Sequence, residues 1–141
     1  MPSTDILLDM APTPLREPTF LILTALAERP RYGYDVIQEV AALSDGRVTL
    51  RAGTLYGAFD RLTEQGWIEV DHEEVVGGRL RCYYRLTDDG ADVLAAESRR
   101  LHANAEAANR GLRARAQTGN AAPGKGRPSF ARIIANPTAT A

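Results

Sequence analysis

The sequence predicts a mainly helical domain with one small β-hairpin, followed by a long helix, and three observations carry that fold class. Leu55, Ala58, Phe59 and Leu62 recur at helical spacing between Arg51 and Gly66. Ile68, Val70 and His72, then Leu80, Cys82, Tyr84 and Leu86 beyond Gly77-Gly78, alternate with charged or polar neighbours as two strands do. Finally, Ala91, Leu94, Ser98, Leu101, Ala105, Ala108 and Leu112 step by three and four without a break, which is a heptad seam. A chain of 141 residues fits one domain with extensions and a modest core.

Residues 1–14 are punctuated by Pro2, Pro12 and Pro14 and read as a flexible N-terminal arm; Ile6, Leu7 and Leu8 are too few for a signal-peptide core. The domain proper, residues 15–86, opens with a helix from Leu15 or Pro18 to Glu28. Its Phe20, Leu21, Ile22, Leu23, Ala25 and Leu26 are so densely apolar that it needs cover on more than one side. Arg29-Pro30-Arg31 stops it, because proline disfavours helix at the residue before it. A second helix is expected from Gly33 or Tyr34 to Leu43, with Ile37, Val40 and Ala41 inward. Ser44-Asp45-Gly46 then turns the chain, and Arg47 to Leu50 is at most a short strand. Tyr34, Tyr84 and Trp67 are expected in the core.

The central helix, closed by Gly66, shows Gly53, Gly57, Asp60 and Glu64 on its outer face, flanked by Thr54, Tyr56 and Arg61. A mid-helix glycine costs about 0.5 to 1 kcal/mol against alanine. Gly57 is therefore either a place where something bulky nears the backbone or a plain irregularity of a core helix.

In the hairpin, a two-residue Gly77-Gly78 turn would set Val70 opposite Arg85, apolar against charged, and so fails. A three-residue loop with a glycine bulge instead sets Glu69 opposite Arg85 and Glu73 opposite Arg81, and is the expected register. The last helix, residues 87–116, has Thr87 as N-cap with Asp88 and Asp89 in its first turn. Residues 117–141 are rich in Gly, Ala, Pro, Asn and Thr without period and read as a disordered tail.

Net charge is −1, so any polyanion must be met by local patches. Residues 91–141 hold eight bases against three acids, whereas 16–90 hold nine against thirteen. One cysteine excludes an internal disulfide and, with two histidines, argues against a metal site. No apolar run approaches the roughly 20 residues that span a bilayer, so no membrane association is expected and the cytoplasm is the expected compartment. Cys82 and His72, both expected inward, are the nearest thing to a nucleophile and base. A buried thiol is ordinarily inert, and no catalytic constellation or cofactor motif accompanies it, so no enzyme activity and no cofactor are expected.

Three helices, a hairpin and a long helix follow one another as in a winged helix-turn-helix with a C-terminal dimerisation helix, whose third helix enters a major groove. The candidate contacts to double-stranded DNA follow by geometry. Thr54 and the free N–H groups of the central helix suit a phosphate. Arg51 reaches a phosphate or a guanine edge, and Gly57 lets the backbone approach. Tyr56 is either a DNA contact or a partly buried aromatic, and Arg61 either meets DNA or pairs with a nearby acid. On the wing Arg79 has no acidic partner in the expected register, while Arg81 faces Glu73 and ranks second. Leu21 and Ile22 of the first helix, with Leu94, Leu101, Ala105, Ala108 and Leu112 of the last, are the candidate homodimer interface. The rival reading is a winged-helix module that docks on a protein through Asp60 and Glu64.

Three segments carry a family likeness: Leu-Ala-Glu-Arg-Pro-Arg-Tyr-Gly-Tyr-Asp-Val-Ile from Leu26, Gly-Thr-Leu-Tyr-Gly-Ala-Phe-Asp-Arg-Leu from Gly53, and Gly-Arg-Leu-Arg-Cys-Tyr-Tyr-Arg-Leu-Thr-Asp-Asp-Gly from Gly78. Through them the sequence resembles the PadR-type transcriptional regulators over about Pro18 to Leu112. Tyr32 departs from the histidine common before Gly-Tyr in that family. The resemblance implies a dimeric DNA-binding regulator, usually a repressor, of the branch with a single C-terminal helix. It also implies a small hydrophobic or aromatic effector, since family members respond to phenolic acids or drugs. Two-fold symmetry would place the half-sites of an inverted repeat about 34 Å apart.

Overall fold

The computed structural model describes residues 14–119. The expectations for residues 1–13 of the arm and 120–141 of the tail lie outside them. In chain order the elements are α1 (Glu17–Glu28), β1 (Arg31–Tyr32), α2 (Gly33–Leu43), α3 (Ala52–Glu64), β2 (Ile68–Val76), β3 (Arg79–Leu86) and α4 (Asp88–Thr118). The chain divides into two compact units, residues 1–99 and 100–141.

Within the first unit, Leu21, Ile22, Leu23 and Leu26 of α1 meet Val36 and Val40 of α2, Leu55, Ala58, Phe59 and Leu62 of α3, and Leu50 and Ile68 in one core. Burying an aliphatic or aromatic side chain of this size contributes roughly 1.5 to 3 kcal/mol. The cover that α1 requires thus comes from its own domain. Leu21 and Ile22, 9 % and 1 % exposed, lie inside that core and offer no free face to a second chain, which removes them from the interface expected for them. On α2 the fully buried positions are Val36 and Val40, with Ile37 only partly buried against the core.

The sheet has three strands in the order β1-β3-β2. No strand forms at residues 47–50. The extra strand is Arg31–Tyr32, set antiparallel on β3 with Arg31 opposite Tyr84 and Tyr32 opposite Tyr83. Arg31 does more than end α1. Its buried guanidinium donates through Nε to the Ala25 carbonyl (2.8 Å), through Nη1 to Asp35 (2.8 Å) and through Nη2 to Glu28 (2.5 Å), tying β1 to the helices on either side.

The hairpin departs from the expected register in an informative way. Its turn is the two-residue Gly77-Gly78, with φ of +59° and +79°, as a type I′ turn demands. Near the tip Val75 faces Leu80 and Glu74 faces Arg81; at the base Glu69 faces Arg85 and Ile68 faces Leu86. Parity is restored between Val70 and His72, where Asp71 is the extra residue of a β-bulge. The expected Glu69–Arg85 pair therefore holds, at 2.5 Å. The three-residue loop and the Glu73–Arg81 pair do not form, because every residue of β2 beyond the bulge has changed sides.

Gly66 (φ +80°) ends α3: the Trp67 N–H reaches the Leu62 carbonyl and the Gly66 N–H that of Thr63, both at 3.0 Å, satisfying carbonyls the helix leaves open. Thr87 caps α4 as expected, its Oγ1 accepting the Gly90 N–H (3.0 Å) and donating to the Gly66 carbonyl (2.6 Å). A β-carbon on Gly90 would collide with the Trp67 carbonyl, so only glycine allows α4 to start here. Further along the helix, Glu97 is buried and accepts the Leu15 N–H at 3.0 Å. From Leu101 to Thr118 every residue of α4 is exposed.

Candidate nucleic-acid interface

The start of α3 is chemically open. Arg51 occupies the N-cap with extended backbone and no side-chain capping bond. The first N–H bonded within the helix is that of Leu55, to the Arg51 carbonyl (2.9 Å). The N–H groups of Ala52, Gly53 and Thr54, all in exposed residues, are the unpaired donors every helix start presents, with the positive end of the dipole behind them. A β-carbon on Gly53 would meet nothing within 4 Å, and one on Gly57 only the Arg61 guanidinium at 4.0 Å. Neither glycine is needed for packing inside the chain, and both leave the helix backbone open to an approaching surface.

Beside this helix start a groove of about 360 Å³ opens towards the wing, lined by Tyr32, Gly33, Tyr34 and Tyr56 on one side and residues 79–82 on the other. It brings together three of the predicted contacts, Tyr56, Arg79 and Arg81. Arg51, Thr54 and Gly57 lie outside its lining, and Arg61 lines a second cavity of about 390 Å³ with Leu15, Arg16 and Trp67. Tyr34, expected in the core, is 59 % exposed, whereas Tyr84 and Trp67 do pack against it. Tyr32 and Tyr34 are groove residues that periodicity misses, because they sit at a strand end and a helix start.

The arginines sort into two groups. Arg29 pairs with Asp35 (3.1 Å), Arg31 with Glu28 and Asp35, Arg47 with Glu17 (2.7 Å), and Arg85 with Glu69 and Asp71. The Arg47 hydrogen bond holds the Glu17 carboxyl below its ordinary value, and Glu69 holds Arg85 above its own. Among the described residues Arg51, Arg61, Arg79 and Arg81 form no ion pair, and Arg81 instead lies over the Tyr32 ring, 4.4 Å from its centroid. The wing and the ends of α3 thus carry uncommitted positive charge, as does Arg16 ahead of α1.

The Asp71 bulge turns His72 away from the Cys82 face, correcting the expectation that both point inward. His72 stacks on Tyr83 (4.3 Å, 10° between planes) and meets the Asp71 carboxylate at 2.5 Å. On the inner face burial, followed by the neighbouring Cys82, pushes the Tyr84 phenol up to about 12. Among the described residues no group of three or more His, Cys, Asp or Glu could hold a metal ion, and no helix is long and apolar enough to cross a membrane.

Comparison with known proteins agrees with this architecture. Residues 22–96 match the transcriptional regulator PadR-like family. An uncharacterized protein of Lysinibacillus sphaericus is 35 % identical over 75 residues, 53 % of this chain and 69 % of that protein. Among solved structures, a PadR family transcription regulator from Clostridium difficile superposes with a TM-score of 0.58 at 24 % identity, over 69 % of this chain and 99 % of that one. A PadR family regulator from Eggerthella lenta gives 0.54 at 27 %, over 78 % and 91 %. Bacillus subtilis PadR, solved in complex with operator DNA, gives 0.52 at 23 %, over 57 % and 46 %. With the family match spanning more than half its length, and with the helices, sheet and wing in the matching order, the chain belongs to the PadR-like family of transcriptional regulators.

Proposed function

We propose that this chain is a cytoplasmic homodimer that binds double-stranded DNA at an inverted repeat and represses transcription there. The observation that carries the reading is the segregation of the arginines, with Arg51, Arg79 and Arg81 left out of ion pairs at the open start of α3 and on the wing, and Arg61 likewise at the far end of α3. The operator complex of the similar Bacillus subtilis protein supports it. In this arrangement Thr54 and the first N–H groups of α3 take a phosphate. Gly53 and Gly57 admit the duplex close to the helix backbone, and Arg51 and Tyr56 reach base edges or the adjoining backbone. Arg79, beside the Gly77-Gly78 turn, enters the flanking minor groove.

The second copy joins through α4. Leu101 and Leu112 are 39 % and 56 % exposed in the single chain, and with Ala105 and Ala108 they form an apolar seam that no described residue covers. Leu94, partly buried against the core, begins that seam. A small hydrophobic or aromatic effector that favours one spacing of the two reading heads would release the operator.

Selection of bound fragments from the parent genome, followed by titration at several salt concentrations, tests the proposal. A preferred duplex and a steep fall in affinity with salt are expected, and Arg79→Ala should make the slope shallower by about 1. Indifference to every duplex, with capture of a protein through Asp60 and Glu64, would replace this reading with that of a docking module.

A further inference from the structure

Arg81 stands directly opposite Glu74 in the hairpin, yet the two make no ion pair. Glu74 is engaged elsewhere: its Oε1 accepts the Tyr83 hydroxyl at 3.1 Å, and its Oε2 lies 3.6 Å from the Nε2 of His72, whose ring is stacked on Tyr83. The guanidinium of Arg81 lies instead above the Tyr32 ring, 4.4 Å from its centroid. Tyr32 is braced in turn by Tyr83, its cross-strand partner, with ring centroids 5.4 Å apart.

A guanidinium carries its five N–H donors in its plane, whereas an aromatic ring attracts it through its face. Stacking therefore holds an arginine in place without using its hydrogen-bonding edge. A carboxylate partner would consume that edge, as Glu69 and Asp71 consume that of Arg85. Arg81 lines the groove that Arg79, Tyr34 and Tyr56 also line.

We infer that this groove takes a backbone phosphate of DNA on the edge of Arg81, and that Tyr32 is the positioning residue that keeps Arg81 there. The inference rests on the DNA-binding reading above. A phosphate matches the planar fork through two parallel hydrogen bonds, which is the pairing for which arginine is better suited than lysine. Tyr83 and His72 contribute by drawing Glu74 aside.

The test uses the full chain and a fluorescein-labelled random-sequence duplex at low salt, a probe whose affinity reports phosphate contacts alone. Tyr32→Leu should weaken binding about threefold to tenfold, and Tyr32→Phe, which keeps the ring, should match the parent. Arg81→Ala should lower the salt slope by about 1, and Tyr32→Leu added to Arg81→Ala should change nothing further. Thermal melts check the fold, and Tyr32→Met provides the same comparison if Tyr32→Leu melts early. Equal weakening by Tyr32→Leu with and without Arg81, or none at all, overturns the positioning role. A loss on Arg81→Ala confined to one preferred sequence overturns the phosphate assignment. If the parent binds with an Arg79-dependent slope while these variants change nothing, only this inference fails. If the parent shows no salt-dependent binding, the DNA-binding reading fails with it.

Discussion

The phenol of Tyr56 lies across the backbone of Gly33, its Cζ 2.9 Å from where a β-carbon would stand and its hydroxyl closer still. The contact joins the first residue of α2 to the exposed flank of α3. Gly33→Ala must push Tyr56 aside, and because Tyr56 is half exposed it can move. The expected result is weaker DNA binding with a melting temperature within a few degrees of the parent. Gly90→Ala meets the Trp67 backbone, which cannot move, and should destabilise the fold by about 1 to 3 kcal/mol or more. Urea titration and duplex binding of the two variants together separate these outcomes.

Arg31 holds the helical half of the domain to the sheet by three bonds from one buried guanidinium. Arg31→Met removes all three and should cost about 2 to 3 kcal/mol, read as a lower urea midpoint at unchanged slope. Asp35 keeps Arg29 as a partner, which limits the loss. Arg31→Lys should recover only part of it, since one ammonium cannot span the Ala25 carbonyl and both carboxylates.

The exposed seam of α4 gives a test of assembly that leaves the domain intact. Leu101→Glu combined with Leu112→Glu should shift the sedimenting species from dimer to monomer at micromolar concentration while the unfolding midpoint of residues 14–99 stays in place, because neither side chain belongs to the core. Specific DNA affinity should fall by more than tenfold, as each half-site then binds alone. A dimer unaffected by both changes would move the interface away from this seam.

Tyr84 sets an alkaline limit. Its phenol is pushed from 10.0 to about 12, chiefly by burial, with the Phe59 ring packed against it at 4.4 Å between centroids. The folded chain holds this proton more tightly than the unfolded one. The stability linked to it is therefore complete below pH 10 and is lost as pH rises towards about 12. Ultraviolet titration at alkaline pH should show the Tyr84 share of the five tyrosines ionising late. Tyr84→Phe should remove that step and flatten the fall in melting temperature over the same range.

Much of this was visible in the residues themselves. The stripe of α3, the Thr87 cap, the Gly66 stop and the Glu69–Arg85 pair follow from local rules that the surroundings do not override. What stayed hidden was non-local. Strand β1 is two residues long, too short for any alternation to register, and exists because β3 offers it an edge. Glu97 is buried with its carboxylate on the Leu15 N–H, 82 positions away. Tyr34 looks like core in one dimension and is exposed because α2 turns its first residues towards the groove. The Asp71 bulge was hidden for a different reason. Alternation weighs a single register from base to tip, which rejects the two-residue turn, whereas the chain adopts the expected register at the base and the rejected one at the tip.

That single extra residue absorbs the step between the register at the base of the wing and that at its tip. Removing Asp71 alone would straighten β2 and leave every cross-strand pair in place, whereas removing Glu73 instead would let Asp71 pair with Tyr83 and carry His72 to the inner face opposite Cys82, dissolving the ring stack on Tyr83. The wing can be lengthened or shortened by pairs of residues without such an inversion, so its evolution is expected to proceed in steps of two, or in single steps that fall at the bulge itself.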